Sequence, residues 1–549
     1  MSLSLNTLMS LESADPSGYL NGDARAGVSA NGKTSKTIPD AADQLVRGEP
    51  GWSSALGVAF TVSYAFRSTA PDSMPGDSGG FSRFNAAQIQ QAELALASWS
   101  DVANITFVRV GSGTSGEGAY SNDAAMLFAD YATGKNGAAA FGNYPGSTSP
   151  TAAAGDVWVN ITFGYNANPS AANRGGHVLV HEIGHAIGLA HPADYDADAD
   201  TTLTYAADAG YYQDSRQYTV MSYFSESNTG GGYGGGYAAA PQLDDIAAAQ
   251  LEYGANMTTR LGDTTYGFNS TAGRPWFDAG ASGGRLIFAV WDAGGNDTFD
   301  FSGFTQSQLI NLKQGFFSDV GGYVGNVAIA AGANIENAIG GSSSDVITGN
   351  ALANNLAGRL GNDTLSGEAG QDYLRGDEGN DSISGGADFD DINGNMGDDV
   401  AHGDAGDDWV VGGKDQDVLF GDDGDDIVYG NLGNDTVDGG AGADWVRGGQ
   451  GDDVINAGFG DDFVSGDRGS DTISGGAGAD TFNFFVGAGL DRISDFSAAQ
   501  GDRIRIEGGG AYTVAQVSFD TVVDMGNGDQ IILTNVTMSL LPAGWIFVA

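Results

Sequence analysis

Four of the chain's five histidines fall between residues 177 and 191, and three of them are spaced for a metal: His181-Glu-Ile-Gly-His185-Ala-Ile-Gly-Leu-Ala-His191. On a helix, residues four apart share a face, so His181 and His185 can aim two imidazoles at one ion with Glu182 beside it. Gly188 can take a positive φ and end the helix, after which the chain turns and brings His191 to the same ion. Three neutral histidines leave a fourth tetrahedral place for water, which is the pattern of a catalytic zinc rather than a structural one. Cysteine is absent, so any metal must be held by histidine, carboxylate or carbonyl groups. His177 lies one helical turn before His181 and reads as a helix-start or surface residue rather than a ligand. Further on comes Tyr218-Thr-Val-Met221-Ser-Tyr223. A methionine turn downstream of such a histidine motif packs beneath the metal, and Met221 is read that way.

The elements that must position these groups read as a mixed α/β domain over 51–257. Val58, Phe60, Val62 and Tyr64 alternate as in a half-buried strand, and Ile89, Ala92, Leu96 and Trp99 recur at helical spacing behind an N-cap at Asn85. Short strands are expected at 105–110, 125–129, 138–141 and 157–161, a helix from about His177 to Leu189, and a third helix through 247–253 closed by Gly254. Residues 1–50 read as a polar leader or pro-segment with a short helix near 41–46. The Gly-rich stretch 230–236 reads as a mobile loop.

Beyond Asn256 helical periodicity gives way to glycine and aspartate. From Gly358 to Asn483 the chain divides into fourteen nonapeptides without insertion or deletion. The sixth place is always aspartate: Asp363, Asp372, Asp381, Asp390, Asp399, Asp408, Asp417, Asp426, Asp435, Asp444, Asp453, Asp462, Asp471 and Asp480. The eighth is apolar almost throughout. Glycines at the first, second and fourth places permit tight turns, and the pattern is that of a calcium-binding parallel β-roll in which each repeat forms half a coil. This predicts a roll over 258–484 and, after the repeat stops near Phe485, a separate terminal β unit over 485–549.

The chain resembles the serralysins, bacterial metzincin proteases with a C-terminal repeat-in-toxin domain. The likeness rests on the zinc motif and Met-turn, on Asp214-Ser-Arg-Gln-Tyr, Pro241-Gln-Leu-Asp-Asp-Ile-Ala and Arg260-Leu-Gly-Asp-Thr-Thr-Tyr-Gly-Phe-Asn. Trp291-Asp-Ala-Gly-Gly-Asn-Asp-Thr and Ile335-Glu-Asn-Ala-Ile-Gly-Gly extend it. It implies one catalytic zinc on His181, His185 and His191, Glu182 as general base, and Tyr223 as a zinc ligand or transition-state donor. It also implies a substrate-pairing edge strand at Ala138, Ala139, Ala140 and Phe141. Several structural calcium ions are implied, with further ligands from Arg260, Gly262, Thr264, Asp292, Gly294, Gly295, Asp297, Glu336 and Gly341. Asn334 departs from the pattern, where threonine is expected.

A formal net charge of −48 makes nucleic acid an improbable partner and favours bound cations. No signal peptide and no apolar span long enough for a membrane are visible. The resemblance implies type I secretion through the C-terminus, although Gly544-Trp-Ile-Phe-Val-Ala549 lacks the expected acidic residue. The expectation is a secreted, monomeric zinc endopeptidase acting on extended or unfolded protein, either released or retained at the cell surface. The rival reading is a calcium-binding or adhesive surface protein with an idle protease domain; intact His181, Glu182, His185, His191 and Tyr223 favour the enzyme.

Overall fold

The computed structural model describes residues 18–25, 27, 29–48, 51–75, 77–146, 154–195, 202–509 and 511–549. It falls into two compact units, one of residues up to Asp297 together with Lys313–Ile335, the other of Thr298–Leu312 with Glu336–Ala549.

The first unit is built on a five-stranded sheet. Its members are β1 (Phe60–Phe66), β2 (Ile105–Arg109), β3 (Met126–Tyr131), β4 (Ala140–Gly142) and β5 (Val157–Asn160), in the order β2-β1-β3-β5-β4. All pairs are parallel except β4 with β5, so the short antiparallel β4 forms the edge. Helix α2 (Ala86–Val102) starts where expected, with Asn85 and Gln88 closing a capping box. Its buried face of Ile89, Ala92, Leu96 and Trp99 covers the core. Helix α3 (Arg174–Ala186) begins three residues before His177, capped by Asn173, and α4 (Leu243–Tyr253) ends at Gly254, whose φ is 79°.

Several expectations for this unit are corrected. Residues 18–25, 27 and 29–48 of the segment read as a leader or pro-segment pack into the unit, whereas residues 1–17 lie outside the described residues. Helix α1 (Ile38–Val46) buries Ala41, Ala42 and Leu45, and the fully buried Arg25 makes a bidentate ion pair with Asp244 of α4 at 2.7 and 2.8 Å. The glycine stretch is likewise held: Gly232 and Val324 exchange two backbone hydrogen bonds, and Tyr233 is buried. The units also do not divide at residue 257, because Arg260 and Arg274 beyond it both pair with Asp101 of α2.

The second unit is a parallel β-solenoid. Successive strands go to opposite sheets, and each pairs in parallel with the strand two further along, eighteen residues away. One such row is Tyr373↔Asp391↔Trp409↔Ile427↔Trp445↔Phe463. The eighth-place residues, Leu365 to Phe482, are buried between the sheets. The tight fit explains the glycines. A Cβ on Gly379 (φ 138°) would stand 1.6 Å from the Gly361 carbonyl, and one on Gly376 would stand 2.1 Å from Asp381 Oδ2. The second place is left-handed too, yet asparagine, aspartate, Arg359 and Glu368 occupy it as well as glycine. Strands continue beyond Phe485 in both sheets rather than forming a separate unit. Thr481–Phe485 pairs with Arg503–Glu507, and Leu490–Ile493 pairs with Asp529–Leu533.

Candidate active site and calcium rows

Helix α3 carries His181, Glu182 and His185, all buried, and Gly188 turns the chain with φ 105° so that His191 comes back to them. Nε2 of His185 and of His191 are 3.1 Å apart, and His191 Nε2 is 3.4 Å from that of His181. Each Nδ1 faces a backbone carbonyl: His181 that of Val220 at 2.8 Å, His185 that of Leu189 at 2.7 Å, His191 that of Tyr195 at 2.9 Å. A carbonyl only accepts, so each Nδ1 carries the proton and each Nε2 presents its lone pair to the common point. Burial, with mutual repulsion at His185 and His191, lowers all three pKa values, to about 4 for His181 and about 3 for His191. Three converging neutral imidazoles are the donor set that zinc requires.

The scaffold around them is built from distant segments. Met221 is buried under α3, and Gly184 leaves room for it: a Cβ there would sit 2.5 Å from the Met221 sulfur. Asp245 of α4 accepts from the Val220 and Gln242 amides and holds the Thr219 hydroxyl. It thus fixes the turn whose Val220 carbonyl orients His181. Asp214 accepts from the Tyr195 and Ser222 hydroxyls, steadying the carbonyl that orients His191. Arg47 donates to the His191 carbonyl at 2.6 Å, and Leu45 accepts from the Ala190 amide. The segment read as a leader therefore positions the third histidine. Asp245 stands at the third place of a capping box, a signal the sequence carried; Arg47 had none.

Tyr223 is partly exposed and packs on both His181 and His191, with ring centroids 5.7 and 4.5 Å away. Glu182 lies against the edge strand, with its pKa raised to about 8 by burial and held down somewhat by the Gly142 amide. Gly142 has no room for a side chain, since a Cβ would meet the Glu182 carbonyl at 2.4 Å. The edge strand is Ala140–Gly142, two residues short of the expected start. The Ala138 carbonyl accepts from the Asn160 side chain, and the Ala139 carbonyl from both the Asn160 backbone amide and the Asn166 side chain, so regular pairing begins only at Ala140. Phe141 lies within it. His177 is neither a ligand nor a surface residue; it is buried within α3 and faces the Ala238 carbonyl at 3.1 Å.

All fourteen repeat aspartates are buried, and they form two rows. In each, Oδ1 accepts from the backbone amide of the aspartate one coil earlier, as Asp381 does from Asp363 at 2.8 Å. Oδ2 of every one is buried without a hydrogen-bond partner. Burial raises these pKa values, to about 7 for Asp363, Asp399 and Asp453 among others. Rows of orphaned carboxylate oxygens fit a cation of hard, oxygen-seeking character. The rows run further than the strict repeat. Asp345 and Asn354 precede them in phase, while Asp491 and Asp502 follow after insertions that hid them.

In the first unit Gly262, Thr264, Asp292, Gly294, Gly295 and Asp297 come together. The Thr264 amide donates to Asp297 at 2.7 Å, the Gly294 amide to Asp292, and a Cβ on Gly295 would meet the Gly262 carbonyl. Arg260 sits beside them in a left-handed conformation, its guanidinium on the Trp291 carbonyl. Asn334 instead pairs with Gln314. In the second unit the Glu336 carbonyl accepts from Asn354 and Asn355, and the Gly341 amide donates to Asp345.

A family model described as the serralysin C terminal of peptidase M10 matches residues 255–538, more than half of the chain, and one for metallo-peptidase family M12 matches residues 53–230. The chain belongs to the serralysin family. The metalloprotease AprA of Pseudomonas entomophila (strain L48) is 48% identical over 340 residues, 60% of this chain and 68% of that one. Serralysin G of Dickeya chrysanthemi is 48% identical over 336 residues, 61% of this chain and 69% of its own. Among solved structures, the extracellular lipase LipA of Serratia marcescens aligns over 40% of this chain and 41% of its own at 16% identity. Its TM-score of 0.19 is too low to bear on the fold. As a serralysin this chain is a zinc metalloprotease with a β-roll repeat domain. No described helix is long and apolar enough to cross a membrane.

Proposed function

We propose that the chain is a secreted endopeptidase that cleaves extended or unfolded protein, with His181, His185 and His191 holding zinc. The observation that carries this reading is the convergence of three Nε2 lone pairs whose Nδ1 protons are each held by a carbonyl. When bound, zinc supplies Lewis acidity that polarises a carbonyl and brings the pKa of water near 7. Glu182 takes a proton from the attacking water and passes it to the departing amine. The Tyr223 hydroxyl donates to the developing oxyanion from the exposed side of the histidines. Substrate pairs its backbone with the free edge of β4, which leaves its side chains weakly read and cleavage broad.

The orphaned Oδ2 rows support calcium as the ion that folds and stabilises the roll, with the Gly262 to Asp297 cluster and the loops at Glu336 and Gly341 as further sites. Coupling of folding to calcium suits export as an unfolded chain by a type I apparatus, with a monomer outside the cell. The test is cleavage of an unfolded protein by chain refolded with zinc and calcium, beside Glu182→Ala and a zinc-chelated sample. Activity in the first alone supports the reading. Inactivity of a folded, zinc-loaded chain overturns it in favour of a calcium-binding surface protein.

A further inference from the structure

The two sheets of the roll are alike in backbone and unlike in surface. The second unit contains eight lysines and arginines, and seven of them lie on one sheet. On its nine strands from Asn355–Leu360 to Arg503–Glu507, these seven cations stand against five acidic residues. The nine strands of the other sheet, from Val346–Asn350 to Leu490–Ile493, bear one cation, Arg492, against six acidic residues. On a chain of net charge −48, one cationic face is a local inversion of sign.

The same face carries the roll's exposed tryptophans. At the seventh place of the repeat the other sheet has valine, serine and threonine, whereas this one has Tyr373, Trp409 and Trp445, each 44–46% exposed. Single exposed apolar residues are ordinary, but aromatic rings repeated in register along one sheet form a row that a ligand can stack on. These three recur on every second coil, with Asp391 and Ile427 between them. Neighbouring strands are about 4.8 Å apart, so successive rings are about 9.5 Å apart. That interval is close to the disaccharide repeat of an extended β-1,4-linked glycan, in which alternate sugars present the same face. Arg375 already lies over the Tyr373 ring at 3.3 Å, which leaves as platforms Trp409 and Trp445, the latter 46% exposed beside the Phe463 ring at 4.8 Å. Beside them runs a groove of about 610 Å³ lined by Lys414, Tyr429, Asn431, Gln450 and Arg468 together with Arg447 and Asp467, which pair with each other at 2.7 Å; Lys414, Arg468 and the amides are suited to carboxylates and hydroxyls.

We propose that this face of the roll binds an acidic polysaccharide with a β-1,4-linked backbone, its sugars stacked on Trp409 and Trp445 and its carboxylates met by Lys414 and Arg468. A nucleic acid fits less well. Bases stack far closer than alternate coils allow.

The test is affinity electrophoresis of the full chain, refolded with zinc and calcium, through gels containing carboxymethylcellulose, neutral hydroxyethylcellulose or single-stranded DNA. Carboxymethylcellulose should retard the chain most strongly. Trp409→Ala/Trp445→Ala and, independently, Lys414→Glu/Arg468→Glu should each weaken that binding by about tenfold or more. Val400→Ala/Val454→Ala on the opposite sheet should leave it unchanged. Protein cleavage and circular dichroism, measured on the same samples, should match the parent chain, so a failure here is distinct from failure of the protease reading. Lack of retardation by carboxymethylcellulose, equal retardation of the parent and both face variants, or retention by DNA alone would each overturn the proposal.

Discussion

Removing calcium should make the roll more stable in mild acid than at neutral pH, the reverse of its behaviour with calcium bound. Nine of the repeat aspartates, Asp372 and Asp408 among them, have their pKa raised by burial from 3.8 to about 7. A carboxylate whose folded pKa exceeds its unfolded one favours the fold below pH 4 and loses that contribution as pH rises towards 7. Three pH units at about 1.4 kcal/mol each bound the extra cost of ionisation in the fold at about 4 kcal/mol per aspartate, a bound that solvent screening reduces. Domains are stable by only about 5–15 kcal/mol, so ionising the rows without a counter-ion should unfold the roll. A bound dication at the Oδ2 rows favours the ionised form and turns the slope around. The assay is urea unfolding in EGTA or calcium at pH 5 and pH 7.5. Pulse-labelled hydrogen exchange on peptides from 358–483, at one fixed labelling pH, reports the roll alone. A calcium-free roll as stable at pH 7.5 as at pH 5, or more so, would refute the reasoning.

Tyr223→Phe should lower kcat by about 10²-fold with little change in KM, because the hydroxyl is assigned to the transition state alone; steady-state kinetics on a fluorogenic peptide would measure it. Asp245→Asn should weaken zinc affinity by about tenfold or more through the turn that orients His181, as read by competition with a chelator. Gly376→Ala puts a methyl 2.1 Å from Asp381 Oδ2, so calcium titration followed by circular dichroism should need more calcium to fold the roll.

What the sequence showed plainly was local or periodic. The His181 to His191 motif lies within eleven residues, and the nonapeptide keeps strict phase, so both were legible without knowing the fold. The misses have physical causes. Arg25 and Arg47 look like ordinary surface charges until Asp244 and the His191 carbonyl, both far along the chain, are folded against them. The start of the edge strand was misplaced because Ala138 to Ala140 carry no pattern, and Asn160 and Asn166 decide which carbonyls remain free. The strict repeat missed the upstream end of the aspartate rows because Asn354 replaces an aspartate there, and the downstream end of the roll was cut short because insertions shift the phase after Asp480.

The eighteen-residue ladder has a consequence for how such a chain can change in length. Each aspartate is bonded through Oδ1 and its amide to its counterparts one coil before and one coil after, so energy and geometry are counted coil by coil. Deleting or duplicating eighteen residues inside the roll leaves every contact type intact and merely shortens or lengthens the ruler. Deleting nine instead passes every downstream strand to the opposite sheet, so the cationic, tryptophan-bearing surface breaks in the middle while the buried core scarcely notices. The outer face thus obeys a stricter arithmetic than the fold does: even numbers of repeats preserve it, odd numbers scramble it.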